Sequence, residues 1–167
     1  MIRLENLLEN WTVIRQDTAQ TVADFPAGEL DFRPLPELMS FREIARHILD
    51  ATHALTGVLL DGAEDLSAAG CRELFKNYML PLAADADAGA LSAALRDSLA
   101  LRRAQLLEQP PDFLSRIITR MDGQRVTRLE MLQFVKEHEL VHRAQMFLYL
   151  RLKGIVPVTT RRRQAKK

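Results

Sequence analysis

Four long stretches of the sequence repeat apolar residues every three to four positions, with helix breakers between them, and that pattern confines the chain to a helical bundle. The first runs from Leu4 to Ala23. It places Leu4, Leu7, Leu8, Trp11, Ile14 and Val22 on one face, and Phe25-Pro26 and Gly28 stop it. Pro34 and Pro36 hold the following "FRPLP" extended, because a proline disfavours helix at the residue before it. The second stretch opens at Ser40 with "SFRE", a capping box in which Ser40 bonds an amide three residues on and Glu43 reaches back. Its stripe is Phe41, Ile44, Ile48, Thr52, Leu55 and Leu59, and Gly62 ends it. The third spans about Ala90 to Glu108, with Leu91, Leu95, Leu99 and Leu106 inward, and stops before Pro110-Pro111. The fourth starts at Thr127 with a second capping box, "TRLE", and runs to Lys153 before Gly154.

Between the third and fourth stretches, "RIITRMDGQRVTR" centres Asp122-Gly123 on two β-prone runs, the signal for a tight hairpin. Residues 61–89 are broken by Gly70, Pro81 and "AADADAG", with one short helix around Arg72 to Tyr78. The expected fold is all-α: a four-helix bundle with a small hairpin before the last helix. One domain covers 1–157. Residues 158–167, with Arg161, Arg162, Arg163, Lys166 and Lys167, read as a disordered basic tail.

The net charge of +1 is carried by that tail, so the body is weakly acidic and argues against a nucleic-acid surface. No apolar run approaches the roughly 20 residues needed to cross a bilayer. "MIRLENLLENW" carries acids where a signal peptide needs an apolar stretch, so the expected compartment is the cytoplasm and the expected partners include no membrane. Cys71 is alone, which excludes an internal disulfide and a cysteine-based zinc site; it reads as a small buried thiol.

The fourth stretch contains "HELVH", with His138 and His142 one turn apart. At about 100° per residue both fall among Met131, Phe134, Val135, Val141, Gln145 and Tyr149, in the middle of an apolar stripe. Two imidazoles there need partners, and a shared divalent metal supplies both at once. The alternative is that each histidine hydrogen-bonds separately inside the core. Glu139 lies off the centre of that stripe. It has two readings: an ion pair with Arg143 four residues on, or a general base beside metal-bound water, the weaker candidate.

H-E-x-x-H on a helix also matches zinc peptidases. Those enzymes take a third ligand from downstream, and after His142 this chain has no Asp, Glu or His. A further ligand has to come from upstream. On the second helix His47 lies at the edge of the apolar stripe, whereas His53 falls nearly opposite its centre and is expected to face water. His47, His138 and His142 therefore form the expected metal site, with a position left for water or substrate. A di-iron bundle would use Glu139-x-x-His142 and Asp50-x-x-His53, but the first and third helices offer no acid in mid-stripe.

"LDFRPLPELMSFREIARHI" and "RLEMLQFVKEHELVHRAQMFLYLRLKGIVP" resemble the DinB-like (DinB/YfiT) metalloprotein family over nearly the whole chain. The resemblance implies a four-helix bundle of the DinB/YfiT type with a three-histidine site at His47, His138 and His142. It implies nickel or zinc, with iron or manganese as further divalent candidates. It also implies frequent homodimers and, in some relatives, a low-molecular-weight thiol used in S-transfer or isomerisation. It does not imply DNA binding.

Other residues carry alternatives. Gln145, one turn beyond His142, orients a ligand or bonds a neighbouring helix. Arg33 and Arg143 are available to an anion or to solvent. Tyr149 points its hydroxyl at the pocket or satisfies it in the core. Leu129, Leu132, Leu140, Phe147 and Leu150 give the last helix a second apolar side, which a second subunit or residues 61–89 would cover. The functional expectation is a metal-dependent enzyme acting on a small-molecule substrate. The alternative is a non-catalytic metal-binding or stress-response protein in which the ion locks the bundle.

Overall fold

Three of the four long helices begin where a side chain takes up free amides. Glu43 N–H donates to Ser40 Oγ at 3.2 Å, and Ser40 N–H donates to the Glu43 carboxylate at 2.6 Å. Thr127 and Glu130 repeat the exchange at 3.1 and 2.7 Å. Asp87 accepts from Ala90 N–H at 2.8 Å. These caps satisfy amides that the helix itself cannot. A computed structural model describes residues 3–166. Its elements are α1 (Leu4–Ala23), α2 (Phe41–Leu60), α3 (Cys71–Lys76), α4 (Ala88–Leu107), β1 (Ile117–Thr119), β2 (Arg125–Thr127), α5 (Arg128–Leu152) and α6 (Val158–Gln164).

The two strands pair antiparallel, Ile118 opposite Val126, around Gly123 at φ +82°, which is why a glycine stands there. Segment 64–66 adds a bridge, with Leu66 N–H on Thr119 O at 2.8 Å. The chain is all-α apart from this hairpin, as the periodicity requires.

α1 and α2 each pack against both α4 and α5. Two apolar clusters fill the interior. One gathers Leu7, Leu8, Trp11, Leu55, Leu59, Leu99, Leu106 and Met131. The other gathers Val22, Phe41, Ile44, Ile48, Leu91, Leu95, Met146 and Leu150. Between them in sequence, on every long helix, stand buried polar residues: Arg15 and Thr18, Thr52, Ser98, and Glu139. A polar layer thus crosses the middle of the bundle.

The expected disordered tail is instead a helix up to Gln164. Its arginines meet acids on α1: Arg161 pairs with Asp24, and Arg162 with the buried Asp17. Lys167 lies outside the described residues. The second apolar side of α5 also differs from expectation. Leu132 and Leu150 are buried within the chain, and Val141, Leu148 and Leu152 carry the exposed apolar surface. Among the described residues no helix is long and apolar enough to cross a membrane.

Candidate metal centre

α2 and α5 lie side by side, and their seam places three imidazoles together. His47 comes from α2, and His138 and His142 from successive turns of α5. His47 Nε2 is 3.0 Å from His138 Nε2, which is 3.1 Å from His142 Nε2. The rings meet edge to face, with centroids 4.5 to 4.8 Å apart. The three ligand atoms lie within 4.8 Å of one another, and no other His, Cys, Asp or Glu among the described residues joins the group.

The nitrogen chemistry suits a cation. Gln145 Oε1 lies 2.9 Å from His142 Nδ1 and accepts its proton. That bond leaves Nε2 of His142 with its lone pair toward His138. His138 Nε2 faces two such nitrogens and has one proton at most to share, so a common cation satisfies all three. Burial and then the neighbouring His142 and His47 pull the His138 pKa down to about 4. Burial and His142 lower His47 as well. Both are therefore neutral near pH 7, the protonation state a metal ligand needs. A cavity of about 490 Å³, lined by Arg42, Glu43, Arg46, His47 and Asp50, opens beside His47.

The remaining expected residues fall as follows. Glu139 does not pair with Arg143. It is fully buried and accepts from Trp11 Nε1 at 2.7 Å, Arg15 Nε at 2.9 Å, Arg15 Nη2 at 2.8 Å and Thr18 Oγ1 at 2.8 Å. Both carboxylate oxygens face α1, engaged by these donors. Arg143 lies 3.6 Å from Asp17 and stacks over Phe147. Arg33 pairs with Glu43 at 3.2 Å. Tyr149 donates to Met39 O at 2.9 Å, the satisfied core hydroxyl. Asp50 holds Arg46 at 2.8 Å. The acids of a di-iron reading are thus committed to arginines.

His53 does not face water. It is 6% exposed, because segment 78–82 folds over the side of α2 that helical phase left free. Sequence reasoning also missed Arg15. Its signal was present: Arg15 stands four residues after Trp11 and three before Thr18, in the centre of the α1 stripe, where a charge demands a buried counter-charge.

A helical bundle carrying one cluster of three histidines at an interhelical seam is the class of protein these features define. The DinB family model matches residues 1–167, and the chain belongs to the DinB family. Among solved structures it is similar to a DinB-like protein from Bacillus subtilis (TM-score 0.69, 23% identity, 89% of this chain and 92% of that one). It is also similar to a DinB-like protein from Bacillus cereus ATCC 10987 (TM-score 0.69, 18% identity, 92% and 94%). A mycothiol-dependent maleylpyruvate isomerase shares the fold (TM-score 0.63, 16% identity), the likeness covering 87% of this chain and 61% of that one. No curated protein matches the sequence.

Proposed function

We propose that the chain is a divalent-metal-dependent enzyme acting on a small molecule through His47, His138 and His142. The observation that carries the reading is the meeting of three Nε2 atoms, two of the contacts being 3.0 and 3.1 Å. A bound ion would act as a Lewis acid and lower the pKa of a coordinated thiol or water. The chain's own residues do the rest. Gln145 fixes the His142 tautomer, and α5 holds His138 and His142 in phase. Three nitrogen ligands, with no fourth His, Cys, Asp or Glu among the described residues, leave room for a reactant, whereas a closed set of four would favour a structural ion. Of the three ligands, His47 also borders a cavity of about 490 Å³.

Nickel and zinc are the first ions to test, then iron and manganese. A low-molecular-weight thiol is the first co-reactant, since a mycothiol-dependent enzyme is built on the same fold. The reading places the protein in the cytoplasm. It also makes it a homodimer closed by α5, whose exposed Val141, Leu148 and Leu152 want cover. Metal analysis of the protein as purified, and of His138→Ala, tests the site. The expected result is about one ion per chain, lost in the variant. Unchanged metal content in the variant would refute the assignment. A screen of low-molecular-weight thiols with electrophiles, read as metal-dependent thiol consumption, then tests the chemistry.

A further inference from the structure

Five buried side-chain atoms among the described residues have no hydrogen-bond partner, and four lie along one seam: Asp50 Oδ1, His53 Nδ1 and Thr56 Oγ1 on α2, and Arg102 Nε on α4. The three on α2 recur every third residue and so share one side of that helix. Segment 78–82 covers this side. Arg46 donates to Leu80 O at 3.0 Å and Leu82 O at 2.8 Å, and Tyr78 packs its ring on Gly57. Leaving a buried polar atom unpaired costs roughly 1–3 kcal/mol, and native proteins nearly always answer it with protein, ordered water or ligand. Of the four residues, His53 lines a cavity on this side of α2, and Asp50 lines the one beside His47.

A cavity of about 300 Å³ opens on this seam, lined by His53, Pro81, Leu82, Ala94, Ser98 and Leu101. Its wall is almost all carbon. The Ser98 hydroxyl is already donated to Leu95 O at 3.2 Å. The His53 ring, whose Nδ1 is itself sealed from solvent, is the remaining polar side chain on the wall, with Asp97 exposed at the rim. Burial, with Arg102 and Arg15 nearby, holds the His53 pKa down to about 4. The ring is neutral at pH 7. A dry apolar cavity of about 150 Å³ already accepts benzene, so this one has room for a ring with a substituent. A charged ligand would give up its hydration to a carbon wall.

We propose that this cavity is a second small-molecule site, separate from the three-histidine centre, and that it takes an uncharged single-ring molecule whose one hydroxyl or amide group hydrogen-bonds His53. The site uses none of the metal-candidate histidines and stands independently of the function proposed above.

The test titrates the protein as purified with 4-methylphenol and, separately, toluene, following the amide NMR signals of Leu82, Ala94 and Leu101. The expected result is binding of 4-methylphenol with shifts concentrated at these amides. His53→Leu weakens 4-methylphenol about three- to tenfold, the worth of one hydrogen bond, and leaves toluene within about twofold. Leu101→Trp, at a half-exposed position, fills the mouth and abolishes binding of both probes. Three results overturn the proposal: neither probe shifts these amides, which leaves ordered water as their partner; His53→Leu affects both probes equally; or Leu101→Trp binds as before. If His53→Leu does not fold, the Leu101→Trp comparison alone decides.

Discussion

Glu139→Gln isolates the buried charge at the centre of the bundle. The substitution keeps the side chain's shape and removes its charge. In the native chain the carboxylate accepts four hydrogen bonds, two from the Arg15 guanidinium, and both residues are almost wholly sealed from solvent. The variant leaves the Arg15 charge uncompensated and turns an amide NH₂ toward the Arg15 guanidinium or the Trp11 indole N–H, which can only donate. Removing one partner of a buried pair costs about 3–5 kcal/mol. For a domain of this size each kcal/mol is worth about 2–4 °C in Tm, so Glu139→Gln lowers Tm by about 6–20 °C. Replacing both partners, as Glu139→Gln with Arg15→Met, removes the stranded charge and recovers much of the loss. The assay is thermal and urea unfolding followed by circular dichroism, with m-values compared to confirm that only stability has changed. Metal content measured alongside stays at the wild-type ratio, because the carboxylate faces α1 and lies outside the imidazole cluster. A Tm within about 2 °C of wild type, or a double variant no more stable than the single, would refute this account.

His53 has an ordinary pKa of 6.5 when unfolded and about 4 when folded, so the unfolded chain takes up its proton first. Stability is therefore full above pH 6.5 and falls as pH drops toward 4, by at most about 3 kcal/mol from this group. His53→Leu flattens the loss between about pH 6.5 and 5 in urea-unfolding series. Gly57→Ala puts a Cβ 2.4 Å from the Tyr78 ring and 2.6 Å from Arg102 Nη2; overpacking of that kind costs about 1–3 kcal/mol, read as a lower urea midpoint. Truncation after Pro157 removes the Arg161–Asp24 and Arg162–Asp17 pairs; both arginines are about half exposed and Arg143 stays beside the buried Asp17, so the expected loss is about 1 kcal/mol, smaller in high salt.

What could be read in advance, and what could not, divides along the range of the interactions. Ser40–Glu43, Thr127–Glu130 and Asp122-Gly123 act within a few residues of chain, so their spacing is their mechanism, and the structure places each as read. His138 and His142 share a turn, and one helical phase was enough to turn both inward. Arg15 and Glu139 stand 124 residues apart, and neither residue's neighbours name the other. His53 shows a different failure. Phase about a helix axis predicts exposure when one face is covered, yet every residue from Thr52 to Leu59 is buried, because segment 78–82 closes the far side. The basic end misled for a related reason: its charge looked unsatisfied only while Asp17 and Asp24 were out of view.

Leucine stripes alone permit helices to slide past one another by a turn, since one leucine replaces the next at little cost. The crosswise tie from Arg15 to Glu139 forbids this. A shift of one turn, about 5.4 Å, would part the guanidinium from the carboxylate and strand two charges in hydrocarbon. Glu139 is also the immediate neighbour of His138, about 100° further round α5, so the tie that stops the helix from slipping also limits how far it can roll.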